Sequence, residues 1–443
     1  MKTIILGPPG TGKTTTLLNL VDEFIQQGVR PKQIGYFSFT KKAATEAANR
    51  AAKKFNLDLE NDLSNFRTLH SLAFRNLGMT KEKMMKQEDY KEFGQKCGIP
   101  IKTANYSSED GTFNSDNEYL TIINTARVKR MDLMEYYDSR KNILDIERGT
   151  LFLLAEELNR FKKEKGLKDF TDLLEDFIEK SLPGSFEVLF IDEAQDLSLL
   201  QWEMVRHLWK YAKKTYIAGD DDQAIFKWAG ADVDHFIALK EEVNDIKVLD
   251  QSYRIPGGPI HELSQRIINK VQNRFVKEYK PRDEIGLLKR YSDITQVDMS
   301  EGNWLVLSSA NYFLDDAKDL CEIQGWYYQY KGFNSISLKL LLALNNWENW
   351  RKGDLLNHLE IKNIYEYLGS NVSMGFQKGK TLNSDLKYSM KECQEKQGLM
   401  TDKVWYDSFE GLDTMTENYI RNMRANGEAI NKNPRIIMST IHG

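Results

Sequence analysis

Two short stretches of this 443-residue sequence carry residue types at spacings suited to phosphate chemistry. The first is Gly7-Pro8-Pro9-Gly10-Thr11-Gly12-Lys13-Thr14, a complete G-x-x-x-x-G-K-[ST] loop followed by Thr15. Glycines in such a loop let backbone N–H groups wrap around phosphates, and the helix it opens adds positive potential at its N-terminus. Lys13 would then reach the β- and γ-phosphates, and the Thr14 hydroxyl would ligate Mg²⁺. The second stretch is Val188-Leu189-Phe190-Ile191-Asp192-Glu193, in which four apolar residues deliver two carboxylates to the end of a buried strand. Asp192 can hold the shell of the same metal ion, and Glu193 can take a proton from an attacking water. Alone, an Asp-Glu pair also reads as helix-capping acids. Beside the phosphate loop it points to hydrolysis of a nucleoside triphosphate.

These groups need a frame, and the flanking pattern supplies one. Lys2–Leu6 is short, apolar and β-branched, the phosphate loop follows, and the helix beyond it is stopped by Gly28. Ile34–Phe39 reads as a second strand. After it comes a helix with alanine at 43, 44, 47, 48, 51 and 52. From about Leu72 to Lys168 the pattern is helical and polar with no clear strand. Strands return at Phe186–Ile191 and Thr215–Gly219, with one helix expected over 197–214 between them. A second series begins at Ile246–Arg254, continues through Trp304–Ser309 and Trp326–Tyr330, and ends at Arg435–Thr440. Apolar strands alternating with helices indicate a parallel α/β sheet, here twice. The expected division is 1–71 with 169–245 as a first nucleotide-binding domain, interrupted by a helical insertion at 72–168. A second such domain would comprise 246–334 with 432–443, interrupted by a helical insertion at 335–431.

Composition narrows the class. Hydrophobic residues make up 41% and charged residues 28%, which excludes disordered and fibrous architectures. A net charge of −4 excludes a chain that coats nucleic acid through bulk basicity, so any nucleic-acid site must be a local groove. The cysteines Cys97, Cys321 and Cys393 are far apart and form neither a disulfide framework nor a zinc cage. No apolar run nears the ~18 residues of a membrane span. The expected setting is the cytoplasm, with no membrane association.

Read in order, the chain shows GPPGTGKTT, FSFTKKAATEAANR, FRTLHSLAFR, KDFTDLLEDF, VLFIDEAQDLS, YIAGDDDQAIFKWAGAD, VLDQSYRIP and IMSTIHG. This series resembles the UvrD/Rep-like branch of superfamily 1 helicases from end to end, the two insertions matching little beyond position. GDDDQAIFKWAGA is its most discriminating segment. The resemblance implies two RecA-like P-loop domains, each with its helical insertion, and an ATP-dependent DNA helicase or translocase moving 3′-to-5′ on single-stranded DNA. ATP and Mg²⁺ would be its cofactors, and single-stranded DNA and single/double-strand junctions its partners; it names no protein partner. Gln223 resembles the glutamine that senses the γ-phosphate, and Arg254 the arginine finger supplied across the cleft. Tyr253 would stack on the nucleotide base. Phe39, Phe226 and Trp228 resemble platforms that stack successive bases, while Thr40, His70 and His442 match further DNA-contacting positions. From the residues alone, Phe39 also reads as strand core, Phe226 and Trp228 as a strand edge, and the histidines as structural hydrogen-bonders. The basic stretches Ala126–Arg130 and Arg160–Lys165 read as solvated helix faces or as contacts to duplex phosphates.

The chain also departs from the family pattern. Only six residues precede Gly7, so the upstream glutamine motif for adenine recognition is not among them. Ala229 stands where the family has arginine. The sequence ends on Ile441-His442-Gly443, before the final motif with a second arginine finger, so the second motor domain is expected to be incomplete. The alternative expectation is a nucleotide- and DNA-binding remnant with little hydrolysis.

Overall fold

Consecutive apolar residues, each side chain facing opposite its neighbours, require a sheet buried on both faces, and the first half of the chain builds one. The computed structural model describes residues 1–443 except 108–109, 182, 370–371, 374–381, 429–432 and 442–443. It divides into two compact units, Met1–Leu288 and Lys289–Gly443.

In the first unit the strands are β1 (Lys2–Leu6), β2 (Ile34–Ser38), β3 (Phe66–Arg67), β4 (Ala104–Tyr106), β5 (Phe113–Ser115), β6 (Phe186–Asp192), β7 (Ala212–Gly219) and β8 (Asp245–Val248). Six of them form one parallel sheet in the order β3-β2-β6-β7-β1-β8. Ile5, Tyr36, Val188, Phe190 and Ala218 meet the helices Lys13–Gln26 and Lys41–Phe55 on one face. Ile4, Leu6, Phe37, Leu189, Ile191 and Ile217 meet Trp202, Met204 and Val205 of the helix Leu199–Trp209 on the other. The helices between Gln87 and Lys165 pack around their own core of Phe93, Leu120, Leu151 and Phe161.

The second unit holds β11 (Trp304–Ser308), β12 (Tyr328–Tyr330), β13 (Phe333–Asn334), β14 (Leu356–Asn357), β15 (Lys387–Tyr388) and β16 (Ile436–Thr440), preceded in the first unit by β9 (Gln251–Gly257) and β10 (Lys280–Ile285). Its main sheet runs β11-β16-β12-β13, with β11, β16 and β12 parallel. Helices Asp315–Gln324, Leu338–Arg351 and Thr414–Ala425 cover it through Cys321, Leu344, Trp347, Ile420 and Met423. The architecture is α/β throughout. No helix among the described residues is long and apolar enough to cross a membrane.

Three features differ from the sequence expectations. The helix expected over 197–214 stops at Trp209, because Ala212 and Lys214 pair in parallel with Phe186 and Val188 of β6, and that ladder outweighs local helix propensity. The insertion contains an antiparallel hairpin, β4–β5, turned by Gly111 at φ +73° and clamped by the Tyr106 and Phe113 rings 4.8 Å apart. Residues 246–288 belong to the first unit rather than opening the second: β8 pairs with β1 from Asp245 opposite Thr3 to Val248 opposite Leu6.

A buried cation fixes the end of that first unit. The Lys277 side chain is fully enclosed and its ammonium pairs with Asp220 at 2.7 Å, with Asp221, and with Asp222 at 3.1 Å. Arg274 holds Asp222 through Nε at 2.8 Å, and the Phe275 N–H donates to Asp221 at 2.7 Å. Burial opposes the charge on Lys277, but Asp220 and Asp221 more than offset it, so the ammonium titrates above the ordinary lysine range. We expect Lys277→Ala to lower unfolding stability in urea by about 3–5 kcal/mol, since it strands buried carboxylates. His70 is mostly buried, its ring 5.7 Å from Phe170, and burial pushes its pKa down to about 4 despite Asp110. The unfolded chain, with an ordinary imidazole, therefore gains a proton first. The stability this group contributes is complete above pH ~6.5 and is lost as pH falls toward 4, by up to roughly 3 kcal/mol. Replacing His70 with Phe should flatten that limb of a stability-versus-pH curve.

Candidate nucleotide site and strand face

The phosphate loop is shaped by the chain that crosses it. Gly10 (φ +76°) and Gly12 (φ +83°) adopt left-handed backbone, and Gly12 caps the helix that begins at Lys13. A Cβ on Gly10 would come within 2.4 Å of the Arg254 Cβ, so this position admits only glycine. Strand β9 lies directly over the loop: the Tyr253 N–H donates to the Gly10 carbonyl at 2.9 Å, and the Ser252 hydroxyl donates to the Pro9 carbonyl at 2.9 Å. The Tyr279 hydroxyl donates to the same Pro9 carbonyl at 2.8 Å. Thr11 donates to the Pro8 carbonyl, and the buried Lys13 ammonium folds back onto the Gly7 carbonyl at 2.7 Å. Thr15 is exposed on the first helical turn.

Strand β6 brings its acids to the same edge. Asp192 Oδ2 accepts from the Thr14 hydroxyl at 3.1 Å and from the Tyr36 hydroxyl at 2.7 Å. Burial raises the Asp192 pKa, the Glu193 charge raises it further, and the two hydroxyls only partly oppose this. Asp192 Oδ1 accepts from the Glu193 N–H at 3.0 Å, so the direct partners of this buried carboxyl are all neutral and it lacks a counter-charge; Thr14 with Asp192 is a hard-oxygen pair that fits Mg²⁺. Glu193 follows in left-handed backbone at φ +53°, a conformation non-glycine residues hold only when their surroundings enforce it. Its carboxylate accepts from the Gln195 amide at 2.9 Å. Asp196 is pushed up to about 8, by burial first and by Glu193 second, and its Oδ1 has no partner.

Gln223 ends the one-turn helix Asp221–Gln223 after β7 and donates to Asp220 at 2.5 Å. The three aspartates 220–222 lie close enough to share a cation, ligand atoms within 4.8 Å, and the Lys277 ammonium takes that place. Tyr253 and Arg254 are both exposed, and both are carried by the first unit, the unit that holds the phosphate loop.

The aromatic candidates form a graded series. Phe39 is 6% exposed and belongs to the sheet core; its ring lies 5.1 Å from Phe226, which lies 6.3 Å from Trp228, itself 55% exposed. Trp228 is thus the exposed end of the series, and Phe226 packs between it and Phe39. The Thr40 hydroxyl caps the helix Lys41–Phe55 by accepting from the Ala43 N–H. His70, Phe39, Ala229 and Asp196 line one small cavity of about 30 Å³. His442 lies outside the described residues. Several cations of the basic stretches are paired with acids: Arg127 with Asp169, Asp172 and Glu175, Arg130 with Glu203, Lys162 with Asp169 and Asp172, Arg160 with Glu157, and Lys165 with Glu92.

Sequence reasoning did not find Tyr36, Gln195, Ser252, Lys277 or Tyr279. Of these only Lys277 had a signal, since three consecutive aspartates after a buried strand demand a cation somewhere in the fold.

Residues 1–244 match the family model described as the UvrD/REP helicase N-terminal domain. An ATP-dependent DNA helicase Rep from Buchnera aphidicola subsp. Baizongia pistaciae is 24% identical over 385 residues, covering 82% of this chain and 55% of that relative. A probable DNA helicase II homolog from Mycoplasma capricolum subsp. capricolum is 24% identical over 371 residues, covering 80% and 48%. One from Rickettsia conorii is 27% identical over 304 residues, covering 62% and 43%. The chain spans about half the length of the curated relatives it matches. The family match takes in the phosphate loop, Asp192, Glu193 and Gln223 and more than half of the sequence, and the chain therefore belongs to the UvrD/REP helicase family.

Proposed function

We propose that this chain is an ATP-dependent DNA helicase or translocase, moving 3′-to-5′ on single-stranded DNA up to single/double-strand junctions in the cytoplasm. The observation that carries this is the convergence of Lys13, Thr14, Asp192 and Glu193 at one sheet edge, with the exposed Trp228 on a segment that begins at Gln223. Lys13 would leave the Gly7 carbonyl to meet the β- and γ-phosphates. Thr14 and Asp192 would hold Mg²⁺, which neutralises phosphate charge when bound. Glu193 would accept the proton of the attacking water, and Gln223 and Arg254 would meet the γ-phosphate. Tyr253, three-quarters exposed at 74%, is free to stack on the nucleotide base.

On the strand face, Trp228 would stack a base with Phe226 behind it, a sequence-tolerant grip. A mostly buried His70 that stays neutral at physiological pH would contribute a hydrogen bond or a ring face rather than a charge. Residues 1–71 with 169–288 would form one RecA-like lobe and 289–334 with 432–443 part of a second, with 72–168 and 335–431 inserted.

Steady-state ATP hydrolysis with and without an unstructured DNA oligomer tests this. Lys13→Ala should lower turnover by roughly 10²–10³-fold or more while DNA affinity stays within a few-fold. Trp228→Ala should weaken binding of single strands by about 1–3 kcal/mol irrespective of base sequence, read by fluorescence anisotropy. Turnover that survives Lys13→Ala rules the site out. A chain that binds nucleotide and DNA yet shows no DNA-stimulated turnover would be a binding remnant instead.

A further inference from the structure

The turn after β6 places three side chains where their chemistry is interdependent. Glu193 sits in left-handed backbone, the one-turn helix Ala194–Asp196 follows, and Gln195 is 2% exposed beneath it. The Gln195 amide nitrogen donates to Glu193 Oε2 at 2.9 Å and to Asp196 Oδ2 at 3.0 Å. Its amide oxygen accepts from the Asp220 N–H at 3.0 Å. The orientation is dictated, because a flipped amide would set oxygen against the Glu193 carboxylate and nitrogen against the Asp220 N–H. The fold also reserves the space: a Cβ on Gly219 would come within 2.9 Å of the Gln195 oxygen.

Each of the three partners leads elsewhere. Glu193 is the acid beside the phosphate loop. Asp220 accepts from Gln223 and from Lys277. Asp196 lines the cavity that also holds Phe39, His70 and Ala229, on the side of the aromatic series. One buried amide therefore joins the proton acceptor, the segment carrying Gln223, and the floor of the strand-side cavity.

Building on the ATP-hydrolysis and strand-binding function proposed above, we propose that Gln195 is the positioning residue of Glu193. Its amide holds the carboxylate toward the attacking water and makes that carboxylate responsive to occupancy of the strand face through Asp196 and Asp220. Gln195 touches no reacting atom, so its removal should act on turnover and not on nucleotide binding.

The test uses the whole chain, ATP, and a thymidylate oligomer as the strand. Gln195→Met keeps the length of the side chain and deletes the amide. The expected result is a stimulated kcat lower by roughly 10- to 100-fold, a KM for ATP within about twofold, and a ratio of stimulated to unstimulated rate that falls toward one. Asp196→Asn, which retains an acceptor for Gln195, should also lower that ratio, and it carries the test if Gln195→Met does not fold. Unchanged kcat and stimulation in either folded variant overturns the assignment, as does a raised KM at constant kcat. Lys13→Ala and Glu193→Gln are measured in parallel. If these two abolish turnover while Gln195→Met does not alter it, only this assignment falls. If wild-type turnover is absent, or survives both, the proposed function falls and this assignment with it.

Discussion

Six carboxylates, those of Asp192, Glu193, Asp196, Asp220, Asp221 and Asp222, crowd the carboxyl ends of two adjacent parallel strands, and the first unit is organised around their mutual repulsion. Two solutions stand side by side. Asp220–Asp222 are paired inside the protein with two cations, Lys277 and Arg274, which offset most of their charge. Asp192, Glu193 and Asp196 are hydrogen-bonded by the Thr14 and Tyr36 hydroxyls, the Glu193 N–H and the Gln195 amide, all neutral donors, and burial lifts the pKa of Asp192 and Asp196. Acids that lack a cationic partner and hold their protons more tightly than usual have charge still to be matched, as the proposed Mg²⁺ would do. The contrast between the satisfied and the unsatisfied halves marks where the chemistry belongs.

Local spacing made part of this legible in the amino-acid order. The phosphate loop and the Asp192–Glu193 pair announce themselves because their meaning lies within a few consecutive residues. Lys277, Tyr279, Ser252 and Tyr36 do not, because their partners lie 57, 270, 243 and 156 residues away, and single-chain periodicity carries no record of such pairings. The same reasoning explains the strand errors. Lys213 and Lys214 look like the polar end of a helix, yet the parallel ladder with β6 claims their backbone and leaves their ammonium groups outside. Asp245–Val248 is exposed and short, an edge strand that reads from sequence as the start of something new and from pairing as the end of something old.

The strand face is where the residues and the family pattern disagree most usefully. Ala229 replaces a charged position and lies by the cavity shared with Phe39 and His70, so the surface there is less cationic than the family pattern implies. What remains is aromatic: Phe39 in the core, Phe226 half-buried on it, Trp228 outermost. Burial increases inward along this series, which suits the proposed grip on bases by its outer ring. In the insertion, Arg127 and Lys162 are already committed to Asp169 and Asp172.

The hold on the Pro9 carbonyl has a thermodynamic consequence. Ser252 and Tyr279 grip that oxygen from a segment far along the chain, and Gly10 presses against Arg254 with no side chain between them. A glycine-rich loop left to itself would wander among many shapes and would have to surrender that freedom when a ligand arrived. Here folding already holds the loop, so the proposed triphosphate would meet a mould instead of a rope. A change at position 252 or 279 would leave every phosphate-contacting atom in the sequence intact, yet make the mould soft.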